Sequence, residues 1–158
     1  MNIEKLTSQF QQDLGAAQSI AISNNHSAIE GIHVLSAMLN DDGSSVSNAL
    51  KAINIDTTVL VKKTELEINK LAVVNNPNSD IGISQNLLRL LTAAEKISTD
   101  KGDSYLSTEL FLLAIIQGND TTTQLLKDAG VTEQALTQAI ETLRGGKNVN
   151  EQNAETQR

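Results

Sequence analysis

Apolar residues recur near the start of the chain at the spacing of a helix with one buried face. They follow one another at steps of three or four residues: Leu6, Phe10, Leu14, Ala17 and Ile20. This spacing places their side chains on one side of an amphipathic helix. The pattern therefore predicts a first helix in this region, with Thr7 as its N-cap.

The same pattern of apolar and polar residues occurs a second time further along the chain. With an offset of 77 residues, Phe10 aligns with Leu87, and SAIEGIHVLSAMLNDDG (27–43) aligns with SYLSTELFLLAIIQGND (104–120). Such self-similarity indicates one unit of packed helices that occurs twice. The two copies span about 6–72 and about 84–144.

Each copy contains four predicted helices. After the first, the second helix is predicted over 31–40 and 108–117, the third over 45–53 and 121–129, and the fourth over 56–71 and 132–144. Besides Thr7, the residues that suit N-caps are Ser84, Asp56 and Thr132. Asn54 and Gly130 suit a left-handed stop after the third helix of each copy. The predicted fold is all-α, with two pseudo-symmetric four-helix repeats packed as one globular domain.

Two polar stretches lie outside the helices. VVNNPNSDIGIS (73–84) holds the only proline and is predicted to be a surface linker between the copies. After Gly145 and Gly146 the sequence KNVNEQNAETQR is polar and buries too little apolar surface to fold alone. We therefore predict a domain over 1–144 and a polar linker over 145–158 toward a further domain.

Composition narrows the class of protein. A chain of 158 residues with 39% hydrophobic but only 2% aromatic residues favours one domain of helices with an aliphatic core. Its net charge of −7 argues against nucleic acid or an anionic membrane as a partner. The N-terminal MNIEKLTSQF has no signal-peptide pattern, and no apolar run is long enough to span a bilayer. We expect a cytoplasmic protein.

The sequence contains few residues in an arrangement typical of a catalytic site. It has no cysteine and no phosphate-binding loop of the G-x-x-x-x-G-K-[ST] type, so we expect no metal, no nucleotide and no other cofactor in this chain. The two histidines, His26 and His33, have no partners at the spacing of a zinc site or a catalytic triad. His33 lies among apolar residues and is predicted to be a hydrogen-bonded structural histidine. We predict no catalytic residue.

The second copy is more apolar than the first. Where the first has Gln11, Asp13, His33 and Ser36, the second has Leu88, Leu90, Leu110 and Leu113. One explanation is that these leucines are buried against the other repeat in a shared core. The other is that some of them line an exposed apolar groove that recognises other chains.

Over essentially its whole length the chain resembles the N-terminal domain of the Clp/Hsp100 unfoldases, and most closely that of the ClpB-type disaggregases. The stretches that carry the resemblance are LTSQFQQDLGAAQSIA, GDSYLSTELFLLAI and the exit LRGGKNVNEQNAETQR. The exit is similar to the connector into the first ATPase domain of the ClpB type. The resemblance implies a domain that captures unfolded or aggregated polypeptide and passes it to an ATPase ring.

The resemblance also implies a site and partners. A shallow apolar patch would be edged by Thr7, Asp103 and Glu109, with Leu110, Leu91, Leu88 and Leu90 as apolar candidates. Leu110 is the main candidate: if it is partly exposed in a groove, Leu110→Gln should weaken binding at little cost in stability, whereas a core position would lower the melting temperature strongly. Thr7 also suits a helix cap, Glu109 a first helical turn and Asp103 a turn, so each has a structural alternative. ATP, magnesium and a hexamer are implied only for the AAA+ domains that would follow, and we expect the isolated domain to be a monomer.

An alternative function is docking of a folded adaptor or a modified residue, as in the protease-coupled ClpA and ClpC relatives. Ile32 stands before His33 where many relatives carry a glutamate. This departure argues against transferring the details of adaptor docking to this chain.

Overall fold

Eight α-helices follow one another through residues 2–75 and 80–157, which the computed structural model describes. They are α1 Ser8–Ser23, α2 Gly31–Leu39, α3 Ser45–Ala52, α4 Thr57–Asn69, α5 Gln85–Lys101, α6 Thr108–Gln117, α7 Thr121–Asp128 and α8 Glu133–Arg144. Short 3₁₀ helices form at Ile3–Lys5 and Ala154–Gln157. The all-α fold and its two four-helix repeats are confirmed.

The helices begin and end where their local chemistry dictates. Each predicted N-cap accepts a backbone N–H of the following turn through its side-chain oxygen, and these caps are Thr7, Asp56, Ser84 and Thr132. Asn54 and Gly130 have φ angles of 65° and 101°, the left-handed conformation that stops the third helix of each repeat. Both predictions are confirmed.

The second helix of each repeat lies in the middle of the domain. Every residue of α2 is buried, and so is α6 from Thr108 to Ile116. The rings of Phe10 in α1 and Phe111 in α6 meet edge to face, with centroids 5.6 Å apart. One continuous core contains apolar residues of both repeats, so the prediction of a shared core is confirmed.

A backbone pairing joins the first repeat to the second. Leu6, just before α1, forms a parallel β-bridge with Leu106, just before α6. The Thr7 N–H donates to the Leu106 carbonyl at 3.0 Å, and the Leu106 N–H donates to the Lys5 carbonyl at 2.8 Å. Leu6 is therefore paired with the opposite repeat. Its spacing predicted a place in the first helix, but α1 begins two residues later, at Ser8.

The repeat symmetry reproduces this pairing on the other side of the domain. Ile83, before α5, pairs with Ile29, before α2. The Ser84 N–H donates to the Ile29 carbonyl, and the Ile29 N–H donates to the Gly82 carbonyl, both at 2.9 Å. In both pairings, the segment before the first helix of one repeat lies against the segment before the second helix of the other repeat.

The predicted surface linker over 73–84 is only partly correct. Residues 76–79 lie outside the described residues. Val73 is exposed, but Ile81 is buried and Ile83 pairs with Ile29. The end of the linker belongs to the folded domain, because the backbone groups before α5 pair with the other repeat.

Residues 145–157, here called the C-terminal segment, turn back onto the domain after α8. Gly145 and Gly146 reverse the chain with φ angles of 58° and 77°, which non-glycine residues rarely adopt. The segment then runs past the N-termini of α1 and α6, where the side chains of Val149 and Glu155 are buried. Its predicted role as a connector to a further domain stays a prediction.

Candidate functional site

The leucines that distinguish the second repeat are mostly buried. Leu90, Leu91, Leu110 and Leu113 are each at most 6% exposed, whereas Leu88 is 44% exposed. Of the two alternatives left open for Leu110, the structure therefore shows the buried one. Of these five leucines, only Leu88 offers substantial apolar surface to a partner.

Leu110 and Leu113 are buried because of the position of α6. An amphipathic helix at the surface needs one apolar stripe, but α6 contacts α3, α5, α7 and α8 and is covered on several sides. Leu90 is buried for a more local reason. A methyl group added to Gly31 of α2 would lie only 2.6 Å from Leu90 Cδ1, so the leucine fills the space above the glycine.

Arg144, the last residue of α8, brings Asp103 and Glu109 together. Its Nη1 lies 2.8 Å from Asp103 Oδ2, and its Nε donates to Glu109 Oε1 at 3.2 Å. Its Nη2 donates to Ser107 Oγ at 2.9 Å. All three charged side chains are at most 6% exposed. We call Arg144, Asp103, Glu109 and Ser107 the arginine cluster.

Thr7 is joined to the same region through the C-terminal segment. Its hydroxyl oxygen accepts the Phe10 N–H at 3.2 Å, as an N-cap does, and its own hydroxyl donates to Glu155. Glu155 also accepts the Thr108 hydroxyl, and each of its carboxylate oxygens lies 3.2 Å from the Thr108 nitrogen. Thr7, Asp103 and Glu109 thus lie in one region of the fold, but within a buried network of polar contacts. Their place at the edge of an apolar patch stays a prediction.

The electrostatics of this network are unbalanced. One guanidinium faces two carboxylates in the arginine cluster, and Glu155 lies near Glu109. Burial, followed by the negative charge of Glu109, raises the pKa of Glu155 to about 7. Hydrogen bonds from Thr7 and Thr108 act in the opposite direction but are smaller effects. Protonation of the Glu155 carboxylate therefore requires less free energy at neutral pH here than at a solvated position.

Sequence reasoning missed Arg144, Ser107, Thr108 and Glu155. The only signal for Arg144 was its place in the last turn of a predicted helix, where a cation is favourable. The burial of Asp103 and Glu109, which makes a cation necessary, was not visible in the sequence. Glu155 gave no such signal, since an acid in a polar tail is usually solvated. Only the return of the chain after Gly146 places it at the N-terminus of α6.

An open groove with apolar lining lies between α4 and α7. A groove of about 270 Å³ opens there, with Ile32 and Leu71 among its lining residues. The exposed Leu66 and the buried Leu125 line its continuation along the two helices. Polar and charged residues surround the groove: Glu30, Glu67, Lys70, Asn86, Asp120, Thr121 and Thr122.

This groove arises from a departure from the repeat symmetry. In the pseudo-symmetric counterpart, α3 packs along α8, whereas α4 and α7 touch each other sparingly. The seam between α4 and α7 is therefore left open, and Leu66 stands 62% exposed beside it. No local pattern in the sequence marks this surface, because it depends on how far apart two helices from different repeats lie.

The histidines do not form a metal site. His33 Nδ1 accepts the Glu30 N–H at 2.8 Å, and its Nε2 lies 2.9 Å from His26 Nδ1. Burial, with the charge of His26 as a second cause, lowers the pKa of His33 to about 4. The predicted structural role of His33 is confirmed. Among the residues described, no group of three or more His, Asp or Glu side chains is arranged to hold a metal ion.

Within the described part of the chain, no helix combines the length and apolar character that a membrane span requires.

Comparison with known sequences identifies relatives of the whole chain. The family model of the Clp repeat (R) N-terminal domain matches residues 5–129. The chain is 40% identical over 158 residues to the chaperone protein ClpB of Pseudomonas putida and 37% identical over 155 residues to that of Vibrio vulnificus. The alignments cover 100% and 98% of this chain but only 18% of each relative.

Solved structures share the fold. The Hsp104 N-terminal domain from Candida albicans superposes with a TM-score of 0.84 at 20% identity, over 96% of this chain and 99% of that one. The ClpV N-domain in its complex with a VipB peptide gives a TM-score of 0.72 at 20% identity, over 97% and 91% of the two chains.

The matched repeats, the shared helical fold and the identity to ClpB over the whole chain lead to one conclusion. This chain belongs to the Clp repeat N-terminal domain family.

Proposed function

We propose that this domain captures unfolded or aggregated polypeptide and delivers it to an ATP-driven ring. The observation that carries the proposal is the open groove between α4 and α7: Ile32 and Leu71 line one part of it, and the exposed Leu66 lines its continuation. Exposed apolar surface rimmed by polar residues is typical of protein interaction sites. An unfolded chain offers exposed apolar side chains that such a groove can accept.

The shape and charge of the groove favour weak and broad recognition. The groove has a volume of only about 270 Å³. Its rim carries both signs of charge, with Glu67 and Asp120 opposite in sign to Lys70. Apolar contacts without a dominant charge select for exposed hydrophobic segments and not for one sequence. Low affinity also suits a domain that must release what it captures.

The relatives support the proposal at a coarser level. Curated relatives are named as the chaperone ClpB, and a solved relative of the same fold is a ClpV N-domain with a bound peptide. Because the chain spans 18% of the length of these ClpB relatives, the ring is part of the proposal and not of this chain. We propose that AAA+ domains of the full-length protein bind ATP and magnesium, form the hexamer and act in the cytoplasm. We expect the isolated chain to be a monomer without ATP turnover.

The site residues implied by the resemblance remain candidates. Leu88 stays a prediction as an apolar contact, because it is exposed on α5. Leu90, Leu91 and Leu110 are buried, so binding through them requires a rearrangement of the core. The polar candidates Thr7, Asp103 and Glu109 lie in the buried network, where a substitution also acts through stability.

The test is chemical-shift mapping of this chain with a permanently unfolded protein. We expect the shifts to concentrate at the α4–α7 groove, and Leu66→Gln to weaken binding several-fold without lowering the melting temperature. Leu143→Gln is the matched control, because Leu143 is also exposed near the end of the fourth helix of its repeat but does not line the groove. Leu88→Gln tests the second apolar candidate.

Two results decide against the groove. If Leu66→Gln and Leu143→Gln bind the unfolded protein as well as the parent does, the α4–α7 groove is not the capture site. If Leu88→Gln alone weakens binding, capture occurs on the exposed surface of α5.

Docking of a folded adaptor is the second candidate function. The peptide bound to the ClpV N-domain favours it, since a defined segment of another protein occupies a domain of this fold. Competition by unrelated extended apolar peptides supports polypeptide capture. A stoichiometric complex that such peptides do not displace supports an adaptor.

A further inference from the structure

A gap, here called the notch, lies between the N-termini of α1 and α6. The C-terminal segment lies in this notch and contacts the domain at three points. The Val149 N–H donates to Asp103 Oδ1 at 3.0 Å, and its carbonyl accepts the Ser104 N–H at 2.8 Å. The Gln152 carbonyl accepts the Ser8 N–H at 2.7 Å. The Glu155 side chain accepts from Thr7 and Thr108. These three contacts are spaced three residues apart along the segment.

The repeat symmetry indicates that the notch is built to receive an acceptor from outside the helices. On the opposite side of the domain, the Gly31 N–H at the start of α2 donates to Asn86 Oδ1 of α5 at 3.1 Å. The residue equivalent to Asn86 is Gln9, whose side chain instead donates to Asp13 at 3.1 Å. The Thr108 N–H at the start of α6 therefore has no acceptor from α1, and Glu155 supplies it.

The contacts of the segment are few and mostly polar. Val149 is fully buried, but it does not belong to the main apolar core. Between the three contact points, Asn150, Glu151 and Asn153 are exposed and Ala154 is half-buried. Segments with few buried apolar contacts open at lower free energy than the core does. The main apolar core of the helices contains no residue of this segment.

We propose that the C-terminal segment is a releasable strap that is latched by the Glu155 side chain in the notch between α1 and α6. In the docked state it covers Thr7 and Asp103 and holds residue 155 against the domain. In the released state the eleven residues after Arg144 can extend by up to about 35–40 Å. Release therefore has two effects at once: it exposes the notch, and it frees the chain after α8 to extend away from the domain. The inference goes beyond polypeptide capture and does not depend on it.

Protonation of Glu155 favours the docked state. Two uncharged residues face Glu155: Thr7, the N-cap of α1, and Thr108 of α6. One charged residue, Glu109 of α6, also faces it, and Glu109 is bound to Arg144 of α8. Since burial raises the pKa of Glu155 from 4.5 to about 7, the docked state binds the proton more tightly than the free segment does. Docking is therefore strongest below about pH 4.5, weakens as the pH rises to about 7, and changes little above that.

Amide hydrogen exchange in the 158-residue chain tests the proposal. The reporters are the N–H groups of Ser8 and Val149, which bond to or belong to the segment, and the N–H of Ser84, which bonds to Ile29 on the other side. We expect Glu155→Ala to lower the protection of Ser8 and Val149 at least ten-fold and to leave Ser84 unchanged. Glu151→Ala is the matched control, because it removes the same charge from an exposed position of the segment.

A second variant tests the latch itself. Glu155→Gln keeps an acceptor but cannot ionise, so we expect protection of Ser8 that is the same at pH 5 and pH 8. In the parent protein the protection factor should be higher at pH 5. Unprotected Ser8 and Val149 amides in the parent, or equal protection in Glu155→Ala and Glu151→Ala, would overturn the proposal. A loss of Ser84 protection in Glu155→Ala would also overturn it, because the segment would then be part of the cooperative fold.

Discussion

Leu6 and Leu106 lie side by side in the folded chain, and two backbone hydrogen bonds of 3.0 and 2.8 Å flank their pairing. Each residue belongs to a different repeat, and the same pairing recurs between Ile29 and Ile83. The two repeats are therefore connected by reciprocal backbone contacts as well as by a shared core.

Separated repeats should not fold. A fragment of residues 1–76 or 77–144 loses the backbone partners from the other repeat and exposes half of a shared core, and either fragment is small for an independent domain. We expect weak helical circular dichroism from each fragment and one cooperative thermal transition from the intact chain. Two independent transitions in the intact chain would contradict this expectation.

Leu110→Gln should destabilise the domain strongly. Leu110 is fully buried in α6, so the change loses its apolar burial and leaves an amide without partners in the core. We expect a loss of about 3–5 kcal/mol in the free energy of unfolding, or a melting temperature lower by about 10 °C or more. Leu88→Gln, at an exposed position, should change stability by about 0.5 kcal/mol or less. Similar melting temperatures for the two variants would contradict the burial of Leu110.

Arg144→Met should cost far more stability than the loss of a surface ion pair. Removing the guanidinium leaves Asp103 and Glu109 as buried carboxylates without their cation, which typically costs about 3–5 kcal/mol. Lys51→Met is the matched control, because Lys51 pairs with Asp42 at an exposed site where such pairs contribute about 1 kcal/mol or less. Urea denaturation measures both. Equal losses would show that the arginine cluster adds little to the fold.

Asp13→Asn should stabilise the domain at neutral and alkaline pH. Asp13 is buried in α1, and within the described residues its Oδ2 has no hydrogen-bond partner. Burial, with the negative charge of Asp41 as a smaller cause, raises the pKa of Asp13 from 3.8 to about 7. The folded state therefore prefers the protonated acid. Its contribution to stability is complete below about pH 3.8, falls as the pH rises, and is lost above about pH 7.

The stability of the Asn variant should therefore exceed that of the parent by a margin that grows between pH 4 and pH 7. Above pH 7 we expect a constant gain on the order of 1–3 kcal/mol, or several degrees in melting temperature. Asp100→Asn is the control, since Asp100 lies on the surface of α5. A gain that is the same at pH 4.5 and pH 8 would show that ionisation of Asp13 is not its cause.

The sequence alone determined the repeat, the helices and their caps. These features depend on residues close together in the chain, such as Thr7 with Phe10 or Asp56 with Val59, so a local pattern is enough to predict them. The structural role of His33 was also predicted, because an imidazole among apolar residues needs a hydrogen-bond partner; the structure identifies Glu30 N–H and His26 as its partners. The family resemblance brought together Thr7, Asp103 and Glu109, which lie in one region of the fold.

Only the tertiary structure decided which surfaces are open and which polar groups are buried. Leu110 and Leu88 look alike in a periodic pattern, but helices on several sides cover α6 and leave Leu88 of α5 exposed. The groove beside Leu66 depends on the distance between two helices of different repeats. Arg144 and Glu155 meet their partners across 35 to 148 residues of sequence separation. Such contacts are set by packing of the whole core, and no local spacing encodes them.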